Sequence, residues 1–144
     1  MIKIVVDTNV LISGTFWEGN SFRIIQMIEQ KKVRCFLSKE ILQEYEKVLH
    51  SDQIIEKTQK KQLEIKSAII KAIEMCDIVE PKRKITFVKE DPDDDKILEC
   101  AVEAKVDYIL TNDQRHLLKI KEFEGIKLVS PANFLRIVNE LDLL

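Results

Sequence analysis

Lys3-Ile4-Val5-Val6-Asp7-Thr8-Asn9 is a short apolar run that ends abruptly on a carboxylate. Ile4, Val5 and Val6 are consecutive β-branched residues, the composition of a strand buried on both faces of a parallel sheet. Asp7 then stands at the carboxyl end of that strand, where open α/β sheets place their ligands. Glu44, the acidic run from Asp91 to Asp95, and Asp113 are expected on the same rim. Carboxylates converging on one edge repel each other unless a cation holds them together. A divalent metal is the economical candidate, and hard oxygen donors of this kind suit magnesium or manganese.

The rest of the chain alternates between strands and helices. A turn region over residues 14–20 leads into an amphipathic helix over 21–31, with Phe22, Ile25, Met27 and Ile28 on its inner face and Asn20 or Ser21 as its cap. Residues 34–37 read as a second strand. Ser38 caps the next helix, where Ile41, Leu42, Tyr45, Val48 and Leu49 recur at helical spacing. A longer helix is expected over 58–75, then a third strand at 77–79 and a basic connection at 81–84. Pro92 and the acids after it open a helix that runs to Ala104, an arrangement that suits a helix N-terminus. A fourth strand at 108–110 runs into Thr111-Asn112-Asp113. A short helix at 114–118, a fifth strand at 127–129 and a terminal helix from Pro131 complete the pattern. Such alternation predicts an α/β fold: three layers, α/β/α, around a mostly parallel sheet of four to five strands, with residues 1–144 as a single domain.

Of 144 residues, 45% are hydrophobic, enough for a substantial core, and only three glycines and three prolines argue against long linkers. Lys+Arg 23 nearly balances Asp+Glu 25, so no global charge draws the chain to nucleic acid or membrane. A nucleic-acid substrate would be held by metal and by local basic clusters such as Lys31-Lys32, Lys60-Lys61 and Lys82-Arg83-Lys84. Trp17 reads as a packing residue with base stacking as the alternative. Cys35, Cys76 and Cys100 form neither a zinc pattern nor a disulfide framework and read as small core residues of a reducing compartment. With no secretory leader pattern and no membrane span, a cytoplasmic location is expected.

Each acidic residue also has a plain structural role. Asp7 can cap a helix, Glu44 can sit solvated beside Lys47, Asp91 and Asp93 can complement a helix dipole, and Asp113 can be a turn residue. Joint placement at one edge is what raises the functional reading above these. His50 and His116 lack partners at ligand spacing in the sequence and read as surface or helix-end residues. Ser13 and Ser38 have no His–Asp partners for nucleophilic catalysis, and there is no phosphate-cradling glycine loop.

With those residues in place, the chain resembles the PIN domain, a nuclease fold found in many toxins of toxin–antitoxin systems. Val5-Val6-Asp7-Thr8-Asn9 resembles the opening motif. Ser38 through Glu44-Tyr45 resembles the second, a capped helix bearing a glutamate. Asp91-Pro92-Asp93-Asp94-Asp95 through Ala101 resembles the third, and Tyr108-Ile109-Leu110-Thr111-Asn112-Asp113 the fourth. By position, the resemblance implies Asp7, Glu44, Asp95 and Asp113 as catalytic carboxylates and metal ligands. Asp94 is the alternative to Asp95, because the acidic run permits a one-residue shift; Asp95 is preferred because it puts Leu98 and Cys100 at apolar and small positions. Thr8, Asn9 and Thr111 are the implied supporting residues, orienting the acids by hydrogen bonds. Asn112 departs from the family pattern, where glycine or a basic residue is common.

The resemblance implies a Mg2+- or Mn2+-dependent endoribonuclease acting on single-stranded regions of RNA. It also implies an antitoxin protein as partner and a homodimer or higher homo-oligomer. Two rivals stand beside it. One is a non-catalytic PIN-like module that binds nucleic acid or protein. The other is an acidic-site phosphatase of the haloacid-dehalogenase type, which requires a second Asp two positions after the first; Asn9 occupies that place here.

Overall fold

The computed structural model describes residues 1–16, 19–49, 70–71, 73–88 and 92–141. In chain order these form β1 (Lys3–Val6), α1 (Thr8–Phe16), α2 (Asn20–Glu29), β2 (Arg34–Ser38), α3 (Lys39–Leu49), β3 (Asp77–Val79), α4 (Pro92–Ala104), β4 (Tyr108–Leu110), α5 (Leu117–Ile120), β5 (Glu122–Phe123), β6 (Ile126–Val129) and α6 (Pro131–Glu140). The expected helix at 58–75 lies largely outside the described residues, as do Trp17, His50, Lys60, Lys61 and Asp91.

The strands join in one six-stranded sheet of order β3-β2-β1-β4-β6-β5. β1 pairs in parallel with β2 on one side and with β4 on the other, and β4 pairs in parallel with β6. Ile4, Val5 and Val6 have no exposed surface, as their unbroken apolar run requires of a strand covered on both faces. From β1 the chain steps outward to β2 and β3, then returns past β1 to β4. Right-handed crossovers in opposite directions place the connecting helices on opposite faces. α2 accordingly packs on α1 and α6, whereas α4 lies along β1, β2, β3 and β4 and meets α3. The result is a mostly parallel, doubly covered sheet whose order reverses between β1 and β4, the position at which such folds form their crevices.

Four local readings change, the simplest being that the short helix expected at 114–118 is α5 at Leu117–Ile120, with residues 114–116 in a turn before it. Residues 14–16 belong to α1, which begins at Thr8 directly after the strand. The Asp7 carbonyl accepts from the N–H groups of Val10 at 2.9 Å and Leu11 at 3.2 Å, so the helix starts without an intervening loop. α2 begins at Asn20 behind Gly19, whose φ of 128° suits glycine, and no side chain caps it. Its buried face is Ile24, Ile25, Met27 and Ile28, while Phe22 is 39% exposed. The sheet gains β5, antiparallel to β6 through the two-residue loop Glu124-Gly125. Both loop residues have positive φ, 49° and 86°, which fits a type I′ hairpin turn. A two-residue strand is too short to show alternation, so the sequence pattern missed it.

Other features match the sequence reading. Ser38 Oγ accepts the Ile41 N–H at 3.3 Å at the start of α3, and Ser130 caps α6 by accepting from Asn133 at 3.2 Å. The three cysteines are free and buried. The Cys35 thiol is pushed well up by its hydrogen bond with Cys76 and by burial. Burial likewise pushes Cys100 up to about 12, with a smaller opposing contribution from Ser38, so these thiols behave as small apolar groups. No helix among the described residues is long and apolar enough to cross a membrane.

Ile109, at the centre of β4 and fully buried, sets the depth of the sheet beneath the site. Ile109→Ala is expected to cost about 2–5 kcal/mol of stability. Urea denaturation should show a lower midpoint with an unchanged slope.

Candidate active site

Asp7 is the joint between β1 and α1. Its N–H donates to the Leu110 carbonyl at 2.9 Å, carrying the β1–β4 ladder one residue past the strand. On the neighbouring strand, the Thr111 N–H donates to the Val129 carbonyl at 3.0 Å and extends β4 in the same way. Two adjacent strands thus deliver Asp7 and Thr111 side by side at the reversal point of the sheet. The Thr111 hydroxyl donates to Asp7 Oδ2 at 2.9 Å, and its oxygen accepts the Asp113 N–H at 3.0 Å. A single buried hydroxyl therefore ties together the two acids expected at these strand ends.

Burial pushes the Asp7 carboxyl above its ordinary value of 3.8, and the negative charge of Asp113 adds to the rise. Hydrogen bonds from Thr111 and from the backbone of Asn9 and Thr8 oppose it without cancelling it. Asp113 moves the other way. Burial raises it, but the N–H groups of Leu117, His116 and Arg115, followed by the His116 charge, bring it below the usual value. The contacts are Arg115 N and His116 N to Oδ1 at 3.1 and 3.2 Å, and Leu117 N to Oδ2 at 3.3 Å. Asp113 thereby organises the turn into α5 while its carboxylate stays ionised.

Asp94 and Asp95 are successive residues in the first turn of α4, so the helix turns their side chains about 100° apart. Asp94, 9% exposed, has Oδ2 3.4 Å from His116 Nδ1. His116 Nδ1 is also 3.6 Å from Asp113 Oδ2. One ligand atom from each of Asp94, Asp113 and His116 lies within 4.8 Å of the others. Asp95 points elsewhere. Its Oδ1 accepts the N–H groups of Phe87 at 3.0 Å and Val88 at 2.7 Å, fastening the segment before α4 to the helix. The sequence reading preferred Asp95 to Asp94 for the ion, whereas it is Asp94 that sits with Asp113 and His116. The helical offset, not the residue type, separates the two.

Glu44 is half-buried on α3, close enough to the N-terminal turn of α4 that its charge, with that of Glu40, helps raise the Lys96 ammonium; the leading cause there is the hydrogen bond to Asp93. Thr8 is buried, and its hydroxyl has no hydrogen-bond partner among the described residues. Asn9 is exposed, and it supports Asp7 through its backbone. His116, read as a lone surface residue, instead faces two of the acids. Its one signal in the sequence is local: it follows Asp113 by three residues, inside the turn that Asp113 builds.

The donor set fits a divalent cation. Asp94, Asp113 and His116 bring two carboxylates and one imidazole nitrogen together; Asp7 lies outside that group, is joined to Asp113 through Thr111, and is burdened by a neighbouring negative charge that a cation would offset. The PIN domain family model matches residues 3–115 of the chain, a span that contains all the carboxylates of this set. The chain belongs to the PIN domain family. In fold, it is similar to a chain in the crystal structure of VapBC2 from Rickettsia felis bound to a DNA fragment from its promoter. That match has a TM-score of 0.59 at 16% identity and covers 88% of this chain and 97% of the other. No curated protein sequence matches the chain at a significant level.

Because the folded protein holds the Asp7 proton more tightly than the unfolded chain does, stability is lost as pH rises from the ordinary value of 3.8 to the raised one, stays lost above it, and is not lost in more acid solution. Asp7→Asn is therefore expected to raise the melting temperature at pH 7 in the presence of chelator, with the gain vanishing in acid. Thermal melts of both proteins between pH 3.5 and 7 check this. Asp95→Ala strands two N–H groups and is expected to cost about 1–3 kcal/mol in chemical denaturation. Asp94→Ala should cost less.

Proposed function

We propose that the chain is a metal-dependent endoribonuclease that hydrolyses phosphodiester bonds in single-stranded regions of RNA. The observation that carries this reading is the Thr111 hydroxyl joined to both Asp7 and Asp113, with Asp94 and His116 beside them. Asp7, Asp94 and Asp113 would hold the cation, Mg2+ or Mn2+, and Glu44 would approach from α3. A cation held there supplies Lewis acidity, which makes water nucleophilic near neutral pH and offsets negative charge on a phosphoryl group.

The chain's own residues divide the remaining work. Thr111 fixes the Asp7 carboxylate by occupying Oδ2, which leaves Oδ1 for the cation or for a proton. A cation there would offset the burial that raises the Asp7 carboxyl, which suits Oδ1 to ligation. Asp113, kept ionised by three backbone N–H groups, suits a permanent ligand. The buried floor between β1 and β4 lowers the local dielectric and strengthens the electrostatics of these groups.

We further propose that the protein is the toxin of a toxin–antitoxin pair, with an antitoxin protein as partner and a homodimer or higher homo-oligomer as its assembly. Family membership and the fold likeness to VapBC2, a complex bound to a fragment of its own promoter, support the antitoxin partner.

Asp7→Asn is expected to lower metal-dependent cleavage of single-stranded RNA by more than about 100-fold, beyond the 10–100-fold typical for losing a supporting group. Thr111→Val, which removes only the orienting hydroxyl, should fall within that 10–100-fold range. Cleavage assays with added metal and with chelator, on proteins shown to be folded by circular dichroism, measure both. Wild-type activity in Asp7→Asn rejects the nuclease reading.

A further inference from the structure

We propose that His116 is itself a ligand, through Nδ1, of the cation held by Asp94 and Asp113, and that it turns the site toward first-row transition ions, manganese among them, over magnesium. This deepens the metal-dependent reading above and rests on it. His116 Nδ1 stands 3.4 Å from Asp94 Oδ2 and 3.6 Å from Asp113 Oδ2. Neighbouring ligands around an octahedral ion with bonds of about 2.0–2.1 Å lie roughly 3 Å apart, and opposite ligands roughly 4 Å. The observed spacings fall between these values, so one ion fits among the three atoms with little movement of any side chain.

The surroundings hold the ring in place. The His116 N–H donates to Asp113 Oδ1 at 3.2 Å, so the carboxylate that would share the ion also anchors the backbone of the histidine. The next residue, Leu117, is fully buried and fastens the start of α5 to the core. The imidazole itself is about three-quarters covered, with a side-chain exposure of 24%. Coordination through Nδ1 would require the hydrogen on Nε2, the tautomer whose Nδ1 lone pair can meet an ion between the two carboxylates.

Ligand chemistry then sets the preference. Carboxylates and water suit magnesium and manganese alike. Magnesium dehydrates reluctantly and gains little from a nitrogen donor, whereas imidazole binds first-row transition ions well. Replacing one water in an otherwise oxygen-lined site by imidazole therefore strengthens manganese more than magnesium. His116 on the loop after β4 thus acts as a selectivity residue added to the acids.

The test measures binding, not turnover. Metal-free full-length protein is titrated with Mn2+ and separately with Mg2+ by calorimetry, and bound Mn2+ is examined by electron spin-echo modulation for a directly coordinated nitrogen-14. Wild type is expected to bind Mn2+ at least tenfold more tightly than Mg2+ and to show the imidazole modulation. His116→Gln, with His116→Ala as a second variant, should lose about tenfold in Mn2+ affinity and all of the modulation, with Mg2+ affinity changed less than twofold. Modulation absent from the wild type, or Mn2+ affinity unchanged in both variants, overturns the proposal while leaving the metal-dependent reading standing. If wild type binds neither ion, or if Asp113→Asn binds both as wild type does, the metal-dependent reading fails and the role of His116 fails with it.

Discussion

The end of a fully buried strand is a costly place for a negative charge, and this protein puts two carboxylates there. Asp7 and Asp113 lie at the ends of neighbouring strands, and the Thr111 hydroxyl joins them by accepting from one residue's backbone and donating to the other's side chain. The arrangement exists because β1 and β4 pair in register, Val6 opposite Leu110, so that the residues following them emerge together. Every other part of the site is placed relative to that pair.

The two acids meet unequal burial with the same number of hydrogen-bond donors. Asp113 lies on a loop whose backbone curls around its carboxylate, and three N–H groups stabilise the charge. Asp7 opens a helix directly from a strand and is the more deeply buried of the two, so its three opposing hydrogen bonds do not cancel the cost of burial. One crevice therefore contains a carboxylate that remains charged and another with a raised affinity for protons. Family membership gives that asymmetry a functional setting, since the matched span covers the whole acidic set.

The N-terminal turn of α4 shows how function and stability divide between adjacent residues of the same type. Asp93 pairs with Lys96 at the surface, Asp94 turns into the crevice, and Asp95 ties down the segment that approaches the helix. A helix rotates each residue by about 100° relative to the one before. Three consecutive aspartates consequently meet solvent, site and backbone in turn. The acidic run looked like one signal in the sequence, yet its members contribute separately.

Much of this was legible without coordinates. The unbroken Ile4-Val5-Val6 run specifies a strand buried on both faces, and the alternation of strand and helix specifies parallel pairing, because local periodicity records which faces are covered. The motifs likewise marked the acidic run and Asp113, two of whose residues, Asp94 and Asp113, meet beside His116, and Asp7, which Thr111 ties to Asp113. What the linear pattern did not contain was anything that depends on direction. The assignment of Asp94 rather than Asp95 to the cluster follows from the rotation of α4 relative to the sheet. The approach of His116 to two carboxylates follows from the turn that Asp113 folds around itself. The short β5 hairpin exists because β6 offers it an edge. Residue types and their spacing are properties of the chain, whereas which atom faces which is settled only when separate elements pack against one another.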